Sequence, residues 1–166
     1  DVYSNLYRLA ETVEADSQAQ STFGWGLRAV MRDTNSSQGY VAVKGKGNFR
    51  HDMADDYKAN RKKQEMDPKI KKLLDNLYEY AWSTGCVPSD GCEADELVGI
   101  CDTEATEAGE CWVIADVDKE LDMIPGWHYK FHKTTLYQLD DQQVHYLFCK
   151  QLLHGHSANK TTSLKS

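Results

Sequence analysis

The acidic stretch Gly91-Cys92-Glu93-Ala94-Asp95-Glu96 opens an amphipathic run, and Asp116-Val117-Asp118-Lys119-Glu120 closes an apolar run about two dozen residues later. Between them, helical spacing is seen for the apolar residues Leu97, Val98, Cys101 and Ala105. This spacing predicts a helix that starts at the first acidic stretch and ends before Gly109. The apolar run 111–115 predicts a buried strand. Strand, helix and strand in this order predict a right-handed crossover in a parallel sheet, with ligands at the carboxyl ends of the strands.

Acidic side chains also favour the first turn of a helix, because carboxylates interact well with the positive end of its dipole. That accounts for one or two acids, but Glu93, Asp95 and Glu96 are three within four residues. Together with Asp118 and Glu120 they would repel one another without cations. Mg²⁺ prefers a few carboxylate oxygens and water, and two such ions can promote phosphodiester hydrolysis. A site for hard divalent cations is the first hypothesis.

The charges of the chain are unevenly distributed, although the formal net charge is -7. Residues 44–72 carry ten Lys or Arg against five Asp or Glu, whereas residues 90–122 carry twelve acids and one base, Lys119. This pattern is typical of an enzyme whose basic region binds a polyanion and whose acidic region binds cations. The alternative is two solvated surfaces of opposite sign.

Length and composition limit the class of protein. At 166 residues the chain fits one domain with a real core. Its five cysteines are odd in number and form no Cys-x-x-Cys pair, which predicts reduced thiols in a cytoplasmic protein. No apolar run approaches the roughly 20 residues of a membrane span, which predicts a soluble protein.

A basic cluster precedes the acidic stretches. Phe49-Arg50 is followed by Tyr57-Lys58-Ala59-Asn60-Arg61-Lys62-Lys63. On a helix, Lys58, Arg61 and Lys62 share one face and can meet successive phosphates. The alternative for Lys58 and Arg61 is salt bridging to the nearby acids at positions 55 and 56. After this cluster, Pro68 begins a predicted helix with a stripe of apolar residues that is ordinary core: Ile70, Leu73, Leu74, Leu77 and Ala81.

The remaining segments carry weaker patterns. Helical spacing predicts helices over residues 1–20 and about 23–32, the second ending in the breaker cluster 33–37. The apolar run at residues 40–43 predicts a buried strand. Residues 44–48 are predicted to form a flexible basic loop, whose glycines do not have the spacing of a P-loop. Residues 87–90 are predicted to be a short link. His128 and His132 are spaced for a metal site on a helix, but their neighbours predict turn and strand, so they are not taken as ligands.

Four motifs together resemble the 5′ nucleases, the family of the 5′-3′ exonuclease domain of bacterial DNA polymerase I and the phage 5′ exonucleases and flap endonucleases. They are Phe49-Arg50, Tyr57-Lys58-Ala59-Asn60-Arg61, the stretch 91–96, which is similar to Gly-x-Glu-Ala-Asp-Asp, and Asp118-Lys119-Glu120, which is similar to Asp-Lys-Asp. They occur in the family's order and approximate spacing across nearly the whole chain.

The resemblance implies a PIN-like three-layer α/β/α fold, with a mostly parallel central sheet and a helical arch formed or flanked by residues 58–80. It implies that Lys58 and Arg61 stabilise charge on the scissile phosphate, while Arg50, Tyr57, Lys62 and Lys63 bind the DNA strand. One or two Mg²⁺ or Mn²⁺ ions would be held by Asp1, Glu93, Asp95, Glu96, Asp118 and Glu120.

By this resemblance, residues 1–166 form a single nuclease domain that lacks the family's first strand and its C-terminal helix-three-turn-helix motif. The family has acids where this chain has Lys44 and the segment 155–160, in which His156 and Asn159 are alternative ligands. The implied protein is a cytoplasmic monomer of a bacterial or phage-infected cell. It would cut DNA at a 5′ end or flap in replication or repair, beside replication proteins. The alternative function is a catalytically decayed relative that acts as a DNA-binding or interaction module.

Overall fold

The computed structural model of the chain describes residues 15–53 and 66–154. The chain divides into two compact units, Asp1–Ala94 and Asp95–Ser166, and each unit has its own sheet. The organisation as a single nuclease domain stays a prediction.

Two helices of the first unit pack on each other. Helix α1 spans Ala15–Asp33, and helix α3 spans Pro68–Ser83. Their contact buries Ala19, Ile70 and Leu73, so the predicted stripe of α3 is confirmed as core. Helix α1 runs without a break across residues 20–23, so the prediction of two separate helical stretches was wrong there, because polar residues 20–22 continue a helix that its buried face stabilises.

The sheet of the first unit pairs strand β1, Ala42–Lys44, with strand β2, Val87–Ser89, in parallel. The prediction of a strand near residues 40–43 is confirmed with shifted bounds. Residues 87–90 were predicted to be a link, and this was wrong because Pro88 and the three-residue length hide the strand pattern. A short helix, α2, spans Arg50–Met53 after the loop that follows β1.

Helix α4, Ala94–Glu107, belongs to the second unit from Asp95 onward and ends before Gly109 at φ +71, as predicted. Strand β3, Val113–Asp116, leads into a 3₁₀ helix, Glu120–Met123. Strands β4, Gly126–Lys130, and β5, Thr135–Leu139, complete the sheet, and helix α5, Asp141–His154, follows. The strand order is β3-β4-β5, with β3 and β4 parallel and β4 and β5 antiparallel.

All five cysteines are free thiols, as predicted. Across residues 15–53 and 66–154, none of the helices has the length and apolar character needed to cross a membrane.

Candidate functional site

In the first unit, the loops that follow β1 and β2 are bound to each other at the carboxyl ends of the strands. The amide of Lys46 donates to Asp90 Oδ1 at 2.7 Å, and the amide of Gly91 donates to the Lys46 carbonyl at 2.8 Å. The amide of Phe49 then donates to the Gly91 carbonyl at 2.9 Å. The basic loop predicted to be flexible is therefore hydrogen-bonded to the acidic stretch.

This arrangement brings Arg50 and Glu93 together. Arg50 Nη1 lies 3.5 Å from Glu93 Oε2, and Asn48 Nδ2 donates to Glu93 Oε1 at 3.4 Å. Asn48 Oδ1 in turn accepts from the backbone amide of Arg50 at 3.0 Å. A candidate phosphate-binding base thus contacts a candidate metal ligand. Sequence analysis did not give Asn48 a role, because its side chain acts across two loops that are distant in sequence.

In the second unit, Asp95 and Glu96 lie in the first turn of α4 and are half-buried, whereas Glu93 directly precedes the helix. Asp118 and Glu120 follow the carboxyl end of β3, as predicted. Asp118 Oδ1 accepts from the backbone amide of Glu120 at 3.0 Å, which ties the Asp118 side chain to the start of the 3₁₀ helix. The Asp118 side chain is exposed, while Glu120 is half-buried.

A buried polar cluster forms around Lys130, close to Asp118. Lys130 Nζ contacts Asp116 Oδ1 at 2.6 Å, the Asp118 carbonyl oxygen at 2.6 Å and Asp122 Oδ1 at 3.0 Å. Burial lowers the pKa of the Lys130 ammonium, but the bonds to Asp116 and Asp122 outweigh burial and raise it. Tyr137 donates to Asp122 Oδ1 at 2.6 Å, and burial together with that bond raises the pKa of Tyr137 to about 12.

His128 is fully buried in β4 and stacks on Tyr137. Its Nε2 lies 2.8 Å from the Ile124 carbonyl oxygen, so Nε2 must carry a proton and donate. Its Nδ1 lies 4.0 Å from Asp116 Oδ2, too far for a hydrogen bond, and neither of these buried atoms has a hydrogen-bond partner among the described residues. Burial lowers the pKa of His128, but Asp116, the Ile124 carbonyl and the charge of Asp122 outweigh burial and raise it. The second proton on Nδ1 is thereby favoured beside the carboxylate.

Sequence analysis gave no role to Lys130 or Tyr137, and it considered His128 only as a metal ligand, which it rejected. Lys130 lies opposite Asp116 in the parallel pairing of β3 and β4, and His128 lies opposite Tyr137 in the antiparallel pairing of β4 and β5. The only available signal was that a lysine and a histidine stand in a short apolar strand, where charged groups need partners.

Within the described ranges, no three His, Cys, Asp or Glu side chains converge as a group that could hold a metal ion. The predicted ligands are nevertheless hard carboxylate oxygens, and Mg²⁺ is commonly bound by one or two carboxylates together with water and substrate phosphates. Asp118 and Glu120 are two such carboxylates, two positions apart in the sequence. The donor set therefore fits a hard ion that the substrate helps to hold.

Several predicted site residues lie outside the described residues. These are Asp1, Tyr57, Lys58, Arg61, Lys62 and Lys63, together with the alternative ligands His156 and Asn159. The part of the predicted arch at residues 58–65 also lies outside, whereas residues 68–83 form the packed helix α3.

Comparison with known proteins shows the fold. The family model for the 5′-3′ exonuclease, N-terminal resolvase-like domain, matches residues 3–149. The chain is similar to the bacteriophage T5 D15 protein co-crystallised with metal ions, with a TM-score of 0.73 and 15% identity over 95% of this chain and 66% of that chain. It thus spans just under two thirds of the T5 chain.

Two further structures from the same source are similar. One is a bacteriophage T5 D15 flap endonuclease complex with DNA and metal ions, with a TM-score of 0.65 and 17% identity over 89% of this chain and 62% of that chain. The other is the T5 5′-exonuclease with bound zinc, with a TM-score of 0.69 and 16% identity over 99% of this chain and 66% of that chain. No curated protein matches the chain. The predicted PIN-like α/β fold is confirmed, since the matching family model describes a resolvase-like domain.

Proposed function

Because the chain belongs to the 5′-3′ exonuclease family through its N-terminal, resolvase-like domain, we propose that it is a divalent-metal-dependent 5′ nuclease. It hydrolyses phosphodiesters of DNA from 5′ ends or at 5′ flaps. The observation that carries this proposal is the position of the acidic motifs within each unit: Glu93 follows the end of β2 in the first, and Asp118 follows the end of β3 in the second. Ligands of parallel sheets bind at that end of the strands.

The acids of the proposed site act as hard ligands. One or two Mg²⁺ or Mn²⁺ ions are held by carboxylates of the set Asp1, Glu93, Asp95, Glu96, Asp118 and Glu120. When bound, such an ion supplies Lewis acidity and neutralises charge on the reacting phosphate. The hydrogen bond from the Glu120 amide to Oδ1 limits the rotamers of Asp118, whose side chain is exposed.

The bases of the proposed site hold the DNA. Arg50 contacts a backbone phosphate while it also orients Glu93, from which it lies 3.5 Å away. Lys58 and Arg61 stabilise the charge that develops on the scissile phosphate. Tyr57, Lys62 and Lys63 bind the strand beside it, the tyrosine by stacking and the lysines by charge.

The setting of the proposed activity is DNA replication or repair in the cytoplasm of a bacterial or phage-infected cell. The protein acts there as a monomer next to other replication proteins. The family model and the DNA-bound T5 structure support a DNA substrate.

A second function, a non-hydrolysing DNA-binding or interaction module, is favoured by one observation. Lys44, which ends β1, is exposed at the position where the family resemblance calls for an acid. A base at this position repels a divalent ion and attracts a phosphate. Such a chain retains the fold and DNA binding but not cleavage.

A cleavage assay separates the two functions. The wild type and a Glu93→Ala plus Asp118→Ala variant are incubated with a 5′-flap DNA, with Mg²⁺ or Mn²⁺ and without either. The nuclease hypothesis expects metal-dependent cleavage that falls by about 100-fold or more in the variant, because each ligand contributes to several kcal/mol of transition-state stabilisation.

The matched control is Glu107→Ala plus Glu110→Ala. Both acids are exposed; Glu107 is the last residue of α4, and Glu110 follows the helix. This control is expected to cut at the wild-type rate. Equal residual cleavage by the wild type and the Glu93→Ala plus Asp118→Ala variant would contradict the nuclease hypothesis. DNA binding by a wild type that cuts nothing would support the module instead.

A further inference from the structure

The Lys130 ammonium is enclosed by oxygen atoms from residues 116–122. Its three N–H donors face three acceptors: Asp116 Oδ1 at 2.6 Å, the Asp118 carbonyl oxygen at 2.6 Å and Asp122 Oδ1 at 3.0 Å. The side chains of Lys130 and Asp116 are only 10% and 6% exposed. These distances are those of charge-assisted hydrogen bonds that water screens little.

The acceptor set is that of a hard cation. Two carboxylate oxygens and one backbone carbonyl oxygen are ligands that Ca²⁺ and Mg²⁺ sites commonly use. Two carboxylates brought this close without a positive charge would repel each other strongly in a buried place. Here the positive charge is covalently attached to the neighbouring strand.

The fold places this charge through the strand register. Lys130 lies opposite Asp116 because β4 pairs in parallel with β3. The 3₁₀ helix turns the chain back so that Asp122 reaches the same ammonium, and the Asp118 carbonyl lies between them along the chain. Residues 116–122 therefore close around Lys130, and we call them the acidic segment.

We propose that Lys130 is a built-in cation that replaces a metal ion within the acidic segment. It holds the segment in its folded conformation without a divalent ion and removes Asp116 and Asp122 from the acids that such an ion can use. If the proposed nuclease function holds, the carboxylates of this segment that remain available to bind Mg²⁺ or Mn²⁺ are those of Asp118 and Glu120. Lys130 is then a positioning residue for both.

The first test is charge removal measured by thermal unfolding. Lys130→Met keeps an apolar side chain of similar reach but leaves two carboxylates without their cation, so Tm is expected to fall by about 10 °C. Adding Asp116→Asn to Lys130→Met removes half of the unmatched charge and is expected to recover about half of that loss. The matched control is Lys133→Met in the exposed turn between β4 and β5, where Tm is expected to change by less than about 2 °C.

The second test restores the cation from solution. Lys130→Ala lacks only the propylammonium part of the side chain, so free propylammonium is expected to raise the Tm of this variant by about 4 °C at ten times its dissociation constant. The neutral analogue 1-propanol, at the same concentration, is expected to give no such rise. Propylammonium is expected to leave the Tm of the wild type unchanged, because Lys130 fills the site.

Two results would overturn the proposal. One is a Lys130→Met variant as stable as Lys133→Met, and the other is an equal response of Lys130→Ala to propylammonium and 1-propanol. If the single variants do not fold, recovery of folding by Asp116→Asn supports the built-in cation, and a double variant that stays unfolded contradicts it. None of these measurements uses cleavage, so a wild type that cuts no DNA would refute the proposed function and leave this result standing.

Discussion

Arg50 shows how a single residue can have separable effects on stability and on DNA binding. Its ion pair with Glu93 is 3.5 Å long and partly exposed, so Arg50→Ala is expected to cost at most about 1 kcal/mol of stability. If Arg50 contacts a DNA phosphate, the same change is expected to lower the slope of log affinity against log salt concentration by about 0.7 to 0.9. Binding titrations at several salt concentrations measure this slope.

The control for Arg50 is Arg32→Ala. Arg32 is exposed on α1 and also forms an ion pair, with Asp33, but it has no proposed DNA contact. Its removal is expected to leave the salt slope unchanged. Equal slopes for Arg50→Ala and the wild type would remove Arg50 from the DNA-binding residues.

His128 gives a prediction about pH. Its pKa in the folded protein is raised above the ordinary value of 6.5, so its contribution to stability is fully present below about pH 6.5 and is lost as pH rises through the raised pKa. We expect the stability difference between the wild type and His128→Gln to shrink with rising pH above 6.5. Denaturant unfolding at several pH values measures it, with His132→Gln, in the exposed turn, as the control. A difference that grows with pH would show that the buried imidazole is neutral.

At the residue scale, sequence alone predicts acids and bases but not their pairing. Glu93, Asp118 and Arg50 stand in motifs that short-range reading can find. Lys130 pairs with Asp116 across 14 positions, and only the register of two strands makes them neighbours. Sequence analysis did not count Asp116 or Asp122 among the cation ligands, and it gave neither of them a partner because Lys130 lies on another strand.

At the scale of elements, Gly45 holds the loops after β1 and β2 together. A Cβ atom on Gly45 would lie 2.6 Å from both the Asp90 nitrogen and the Ser89 carbonyl carbon, which are backbone atoms that cannot rotate away. Gly45→Ala is therefore expected to separate the two loops and destabilise the protein by about 2 kcal/mol or more. It is also expected to break the hydrogen bond from Lys46 to Asp90.

The matched control is Gly26→Ala in helix α1, where an added Cβ meets no atom within 4 Å. This change is expected to stabilise the protein by roughly 0.5–1 kcal/mol, because alanine is the better helix former. Chemical unfolding of both variants tests the pair. A Gly45→Ala variant as stable as Gly26→Ala would show that the loops are not held closely.

The elements that sequence predicts well are those with long periodic patterns. Helix α3 has Pro68 in its first turn, Asp67 as its N-cap and a regular apolar stripe, so both its start and its buried face were predictable. Strand β2 has three residues, and Pro88 among them argues against a strand. It forms because β1 offers a parallel partner, and this pairing is not local in sequence.

At the scale of the whole molecule, the net charge of -7 conceals a basic region, residues 44–72, suited to DNA and an acid-rich region, residues 90–122, suited to cations. Removing two acids in Glu93→Ala plus Asp118→Ala raises the formal net charge by two. Without divalent ions, the carboxylates of the proposed site repel DNA phosphates, and a bound cation reverses this effect. Metal dependence of DNA binding is therefore a property separate from cleavage.

This separation gives a prediction that distinguishes a nuclease from a binding module. With a 5′ flap made resistant to cleavage by phosphorothioate linkages, Mn²⁺ at constant ionic strength is expected to tighten wild-type binding by about 10-fold, the order of one screened charge contact. Glu93→Ala plus Asp118→Ala is expected to bind more tightly than the wild type without Mn²⁺ and to respond little to it. Glu107→Ala plus Glu110→Ala has the same net charge and is expected to behave as the wild type does. If Mn²⁺ does not change the affinity of any of the three proteins, the acids do not hold an ion against the DNA. Net charge alone would then account for the affinity, and the binding module would be the better description.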